Sequence, residues 1–292
     1  MKKIMVVVLA VALALSGAAE VFAREMIQIK GSDTLINMVQ KLSEVYMEKN
    51  PGKAIAVTGG GSGTGIAGLI NGKCDIADAS RGIKAKEVTQ AVEKGIDPKC
   101  IVIAIDGLCI IVNAKNTVKQ LTVDQVGKIY RGEITNWKDL GGENMKISLY
   151  GRQPNSGTYD FMKEVVMKGE YAPSMRQMNG NAQIVEALKY DSGAIGYVGV
   201  GYAREAGNEI AVLKIALQAG GYYATPFNAD EVKSGKYPIT RPLNQYVNGT
   251  PKGDVKAFIA FELSPEGQKI VEEEGFFAIP QEYIDQNNKQ MM

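Results

Sequence analysis

The chain has 292 residues, 33 basic and 32 acidic side chains for a formal net charge of +1, and no histidine. A balance of this kind excludes the electrostatic footprint of a nucleic-acid or membrane-surface binder. The missing histidine removes the Ser-His-Asp and Cys-His routes to an activated nucleophile, and the usual zinc sites with them.

Residues 1–23 read as a signal peptide. Lys2 and Lys3 precede an apolar run over 4–15, and the small residues up to Ala23 offer a cleavage site before Arg24. The apolar run is too short to span a bilayer, which takes about 20 residues, and no later stretch is long and apolar enough. No cysteine at the cleavage point offers a lipid attachment, so the mature chain is expected in the periplasm, exported and unanchored. Losing 1–23 takes away two lysines and one glutamate and leaves the charges balanced. The remaining length is enough for two lobes, each with its own core.

Patterning then predicts a strand over 26–29, a helix over 35–48 stopped by Asn50-Pro51-Gly52, and a strand over 54–57. A short helix over 66–70 ends at Asn71-Gly72, followed by a strand over 74–77 and a helix over 86–94 closed by Gly95. Two apolar, β-branched runs, 101–105 and 108–112, flank Asp106-Gly107. A helix over 123–130, a strand over 147–150, helices over 159–168 and 181–188 and a strand over 194–198 come next, with helices over 254–263 and 265–274 closing the pattern. Alternation of this kind predicts α/β layers with mainly parallel sheets. In such sheets ligands gather at the carboxyl ends of the strands.

Three turns at those ends are rich in donors. Gly151-Arg152-Gln153-Pro154-Asn155-Ser156-Gly157-Thr158 leads into a helix, as do Thr58-Gly59-Gly60-Gly61-Ser62-Gly63-Thr64-Gly65 and Gly31-Ser32-Asp33-Thr34. A helix N-terminus presents unpaired backbone N–H groups and the positive end of the dipole, which makes it an oxyanion site. The hydroxyls of Ser156 and Thr158 add donors, and Arg152 adds a planar fork suited to phosphate oxygens. Together the turns point to one pocket for a tetrahedral oxyanion. Gly63, Gly65 and Gly68 also match the spacing of a dinucleotide fingerprint, but an exported protein has no nucleotide supply. No cofactor and no metal are called for.

The cysteines, Cys74, Cys100 and Cys109, are odd in number, so at most one disulfide can form. Cys109 lies in an apolar run and reads as a buried free thiol, and Cys74–Cys100 is the pair to expect if one exists.

The turns, in this order and spacing, resemble the periplasmic phosphate-binding proteins of phosphate ABC transporters, specifically their shorter branch. The resemblance covers nearly all of the chain after residue 23. It also rests on Asp75-Ile76-Ala77-Asp78-Ala79-Ser80-Arg81, Asp106-Gly107, the stretch from Ile129 to Trp137, and Gly193-Ala194-Ile195-Gly196-Tyr197. It implies a two-lobed type II clamshell with a two-segment hinge: lobe one 24–112 plus 196–292, lobe two 113–195, and crossings near 113 and 194–198. It implies inorganic phosphate as ligand, ABC-transporter permease subunits as partners, and a non-enzymatic monomer. The ligand set that it implies is Ser32, Thr34, Ser62 with neighbouring amides such as that of Gly61, Arg152, Ser156, Gly157 and Thr158, with Ser80 and Arg81 as further candidates for contact.

Longer members of that family carry a carboxylate at the position of Arg81, accepting the proton of the phosphate, and an aspartate at the position of Pro154. An acceptor in the pocket separates HPO4²⁻ from fully ionised sulfate, because facing acceptors repel without a proton between them. Asp106 is the first candidate for that role, with Asp33 and Asp78 behind it. Receptors for sulfate, molybdate or tungstate are the alternatives in the same class, and a secreted phosphatase is the alternative in another.

Overall fold

The computed structural model describes residues 26–292, so the expected signal peptide lies outside the described part of the chain. The chain starts with three strand–helix units: β1 (Met26–Gly31) and α1 (Ile36–Lys49), β2 (Ala54–Thr58) and α2 (Ser62–Ile70), β3 (Ile76–Ala79) and α3 (Ala85–Glu93). Strand β1 pairs in parallel with both β2 and β3. Strand β4 (Pro98–Gly107) then carries the chain to the edge of this sheet.

At Leu108 the chain changes sheet. Strand β5 (Cys109–Asn113), every residue of it buried, opens a second sheet. The second lobe continues with β6 (Gln120–Thr122), α4 (Val123–Arg131), β7 (Ser148–Arg152), α5 (Gly157–Phe161), β8 (Arg176–Met178), α6 (Asn181–Tyr190) and β9 (Ala194–Val198). It ends with α7 (Val200–Ala206), β10 (Ile210–Val212) and β11 (Lys214–Ala216). After α8 (Ala229–Lys233) the chain returns to the first sheet as β12 (Thr240–Asn248), followed by α9 (Gly253–Glu262), α10 (Pro265–Glu273) and α11 (Gln281–Met291).

The strand orders are β2-β1-β3-β12-β4 and β10-β5-β9-β7-β8, with β11 and β6 forming a small separate pair. Each large sheet therefore has two parallel and two antiparallel pairings, where mainly parallel sheets were expected. The reason is the hinge: strands entering from a crossing (β12, β5) run against their neighbours.

Local chemistry sets the element ends. In α4, Gln125 N–H donates to Thr122 Oγ1 at 3.1 Å while Thr122 N–H donates to Gln125 Oε1 at 2.8 Å, a reciprocal cap. The same helix ends on Gly132 in the left-handed region. In the first lobe Tyr46 of α1 meets Phe258 of α9 edge-on at 5.3 Å, and burying such a side chain stabilises by about 1.5–3 kcal/mol.

Sheet membership changes between Gly107 and Cys109 and again between Ala216 and Thr240, with β5, β9 and β10 all in the second sheet. The turn Asp106-Gly107 ends the first sheet, and the apolar run after it belongs to the second. The strand expected over 74–77 is Ile76–Ala79. The helix expected over 159–168 begins at Gly157, widens into a π-type turn over Met162–Met167, and ends at Lys168 with φ 52°. All three cysteines are free thiols, so Cys74 and Cys100 form no disulfide, and Cys109 is buried as expected.

Candidate functional site

The donor turns meet at the seam between the lobes. From the first lobe come Ser32 and Thr34 after β1, Ser62 at the start of α2, and Ser80 after β3. From the second come Arg152 at the end of β7 and Ser156, Gly157 and Thr158 at the start of α5. All these polar side chains are buried.

Their hydroxyls touch one another. Ser32 Oγ donates to Ser80 Oγ at 2.9 Å, and Ser62 Oγ lies 3.4 Å from Ser80 Oγ. Across the seam, Thr34 Oγ1 is 3.0 Å and Ser80 Oγ 3.4 Å from Thr158 Oγ1. Ser156 caps α5, accepting from Thr158 N–H at 3.2 Å and Tyr159 N–H at 3.5 Å. Two glycines make the approach possible. Gly61 sits at φ 92°, and a Cβ on it would lie 2.6 Å from Asn155 O. A Cβ on Gly157 would lie 2.3 Å from Ser62 Oγ and 2.8 Å from Ser80 Oγ.

Arg152 is 2 % exposed. Its Nη2 is ion-paired with Asp33 across the seam and donates to Asn179 C=O at 2.9 Å. Its Nε and Nη1 are buried without a protein acceptor. Buried N–H groups are nearly always paired, so these two donors mark a place for an acceptor. Asp33 thus pairs with Arg152 from the opposite lobe, whereas the position two residues after Arg152 is Pro154. Its Oδ1 accepts Gly60 N–H at 2.8 Å.

Arg81 is directed elsewhere. Its guanidinium forms a two-pronged pair with Glu87 at 2.7 and 2.8 Å and an ion pair with Asp160 of α5 at 2.9 Å. Lys84 also reaches Asp160, at 2.6 Å. Asp106, fully buried, has both oxygens engaged: Oδ1 accepts Val200 N–H at 2.9 Å, and Oδ2 accepts Arg241 Nε and Nη2 at 3.0 and 2.8 Å. Asp78 is drawn into the first-lobe core, where burial pushes its carboxyl up to about 8, partly offset by a hydrogen bond from Gln245. Gln245 Nε2 also donates to Glu262 Oε1 at 3.0 Å, and burial, with Asp78 adding to it, holds Glu262 well above the usual carboxylate range.

Arg241 was missed by sequence reasoning, as were Asn155, Asn181 and Tyr202, which all bond across the seam. Asn155 Nδ2 donates to Gly60 C=O at 2.7 Å, and Asp33 C=O accepts from Tyr202 OH at 2.8 Å and Asn181 Nδ2 at 3.2 Å. Asn155 lies inside a motif already singled out. Arg241 sits in a polar stretch interrupted by Pro242, and only its position opposite Asp106 gives it away. Among the described residues no cluster of three or more Cys, Asp or Glu side chains could hold a metal, and no helix is long and apolar enough to cross a membrane.

The PBP superfamily domain model matches residues 16–266. The phosphate-binding protein PstS of Pseudomonas aeruginosa is 30 % identical over 279 residues, 89 % of this chain and 85 % of that protein. Its namesake from Bacillus subtilis is 31 % identical over 282 residues, 94 % and 88 % of the two chains. Among solved structures, a substrate-binding protein from Clostridium perfringens with bound phosphate superposes with a TM-score of 0.79 at 29 % identity, covering 88 % of this chain and 100 % of that one. An ABC-type phosphate transport receptor from Vibrio cholerae gives 0.69 at 29 % identity, covering 87 % and 100 %. With a two-lobed α/β architecture, donor turns converging on one seam and relatives that match along most of its length, the chain belongs to the PBP superfamily and, within it, to the family of these phosphate-binding proteins.

Proposed function

We propose that the protein is a receptor that closes its two lobes around inorganic phosphate and hands it to the permease of an ABC transporter. The observation that carries this reading is Arg152, whose buried Nε and Nη1 have no protein acceptor at a seam where hydroxyls from both lobes converge. Ser32, Thr34, Ser62, Ser80, Ser156, Thr158 and the amides around Gly61 and Gly157 supply the remaining donors. The lobes are delimited by sheet membership, 26–107 with 240–292 against 109–216. The protein works as an exported, periplasmic monomer and catalyses no reaction: it has no histidine for general-base work, and its donors can hold an anion without attacking it.

Asp33, rather than Asp106, is the acceptor for the proton of HPO4²⁻. Asp106 is fully buried and accepts three bonds, from Val200 and twice from Arg241, whereas Asp33 accepts one on each oxygen and borders the tip of Arg152. Titration calorimetry of the purified protein with phosphate, sulfate, molybdate and tungstate tests the reading. Tight binding of phosphate with sulfate excluded is expected, and preference for sulfate or for a metal oxyanion would overturn it. Asp33→Asn is expected to let sulfate in, since an amide can turn a donor toward a bare oxygen.

A further inference from the structure

Asp106 and Arg241 face each other in register on β4 and β12, next to both chain crossings. Thr240 opposes Gly107, Arg241 opposes Asp106, and Leu108 N–H donates to Ile239 C=O at 2.9 Å. From this point Arg241 contacts both lobes. Its Nη1 donates to Ser80 C=O at 2.9 Å in the first lobe. Its Nη2 donates to Thr158 Oγ1 at 3.0 Å in the second, and its guanidinium carbon stands 5.2 Å from the centre of the Phe161 ring. The side chain is buried throughout.

A guanidinium can only donate. Thr158 Oγ1 must therefore accept from Arg241, and its own O–H is left to donate to whatever faces it from the cleft. An oxygen that accepts one hydrogen bond becomes a better donor in the next. Left alone, a threonine hydroxyl rotates freely between donor and acceptor roles, and only one of these suits an anion.

We propose that Arg241 is a positioning residue for the oxyanion: anchored by Asp106 at the hinge, it fixes the hydroxyl of Thr158 as a donor and ties that donor to lobe closure. The inference rests on the phosphate reading above and adds to it a residue that does not itself touch the anion.

Arg241→Gln leaves Asp106 buried without its partner and can fail to fold, so the double variant Asp106→Asn/Arg241→Gln removes both charges together. Phosphate affinity is measured for the parent, this double variant, Thr158→Val, and Thr158→Val in the double variant. The double variant is expected to lose at least about tenfold in affinity while keeping a cooperative thermal transition. Because Arg241 acts through Thr158, its loss should cost less than about threefold once Thr158 is valine, the non-additivity expected of residues in contact. Parent-like affinity of the double variant, or losses that simply multiply, would overturn the inference while leaving phosphate binding intact. A parent that takes up no phosphate would overturn both.

Discussion

Arg152 divides its donors between two tasks. Nη2 is committed to Asp33 and Asn179, and the Nε and Nη1 edge is left for an anion. Arg152→Ala is therefore expected to cost about 2–5 kcal/mol of phosphate affinity, as truncating one partner of a buried charged contact does, and calorimetry reads this directly. Arg152 itself was legible because a cation beside Ser-Gly-Thr at a helix start has a local chemical meaning. Its partner was not: Asp33 lies 119 positions away and meets it only when the lobes do. Asp78 and Glu262 lead to a different outcome. Both bind their protons more tightly folded than unfolded, so the stability they contribute is fully present below the usual carboxylate range and is lost as pH rises, through about 8 for Asp78. The melting temperature should fall by several degrees between about pH 5 and about pH 9, and Asp78→Asn should flatten that slope. A melting temperature independent of pH in the parent would show that the buried acids do not titrate on unfolding.

At the scale of elements, periodicity located the helices and strands that carry a clean apolar stripe, but it missed β12. That strand reads Thr-Arg-Pro-Leu-Asn-Gln-Tyr-Val-Asn, with a proline and five polar residues where a central strand usually has β-branched residues. The sheet tolerates Pro242 next to a register shift between Leu243 and Asn244. The polar residues have work to do: Arg241, Asn244 and Gln245 bond to Asp106, Arg81 C=O and Glu262. Sequence patterning could not have supplied this, since each of these partners comes from another segment. The start of α5 makes its own prediction. Gly157→Ala adds a Cβ that would overlap Ser62 and Ser80 of the opposite lobe, so the lobes should fail to close fully. Phosphate affinity is expected to fall by at least tenfold, on the order of 1.4 kcal/mol, with the melting temperature of the anion-free protein nearly unchanged.

Over the whole molecule, two sheets joined at Leu108 and before Thr240 make a hinge, and the bonds across the seam are those of a closed clamshell. Phosphate should shift the population toward this compact form and raise thermal stability with ligand excess over the dissociation constant. Small-angle scattering with and without phosphate checks this, and equal radii of gyration would count against closure. The two-lobed plan was legible from alternation and resemblance together, whereas the change of sheet at Leu108 was not, because an apolar run looks the same in either sheet. One further consequence comes from the pairing of charges. Arg152 is matched by Asp33, Arg241 by Asp106 and Arg81 by Glu87, and the chain as a whole carries a formal charge of only +1. Such a site projects little field into solution, so it captures anions by contact and does not draw them in from a distance. Between about 0.01 M and about 0.1 M ionic strength the screening length shrinks from about 30 Å to about 10 Å, yet the association rate measured by stopped flow should hardly change. A receptor built this way would load at the same speed in dilute and in brackish water.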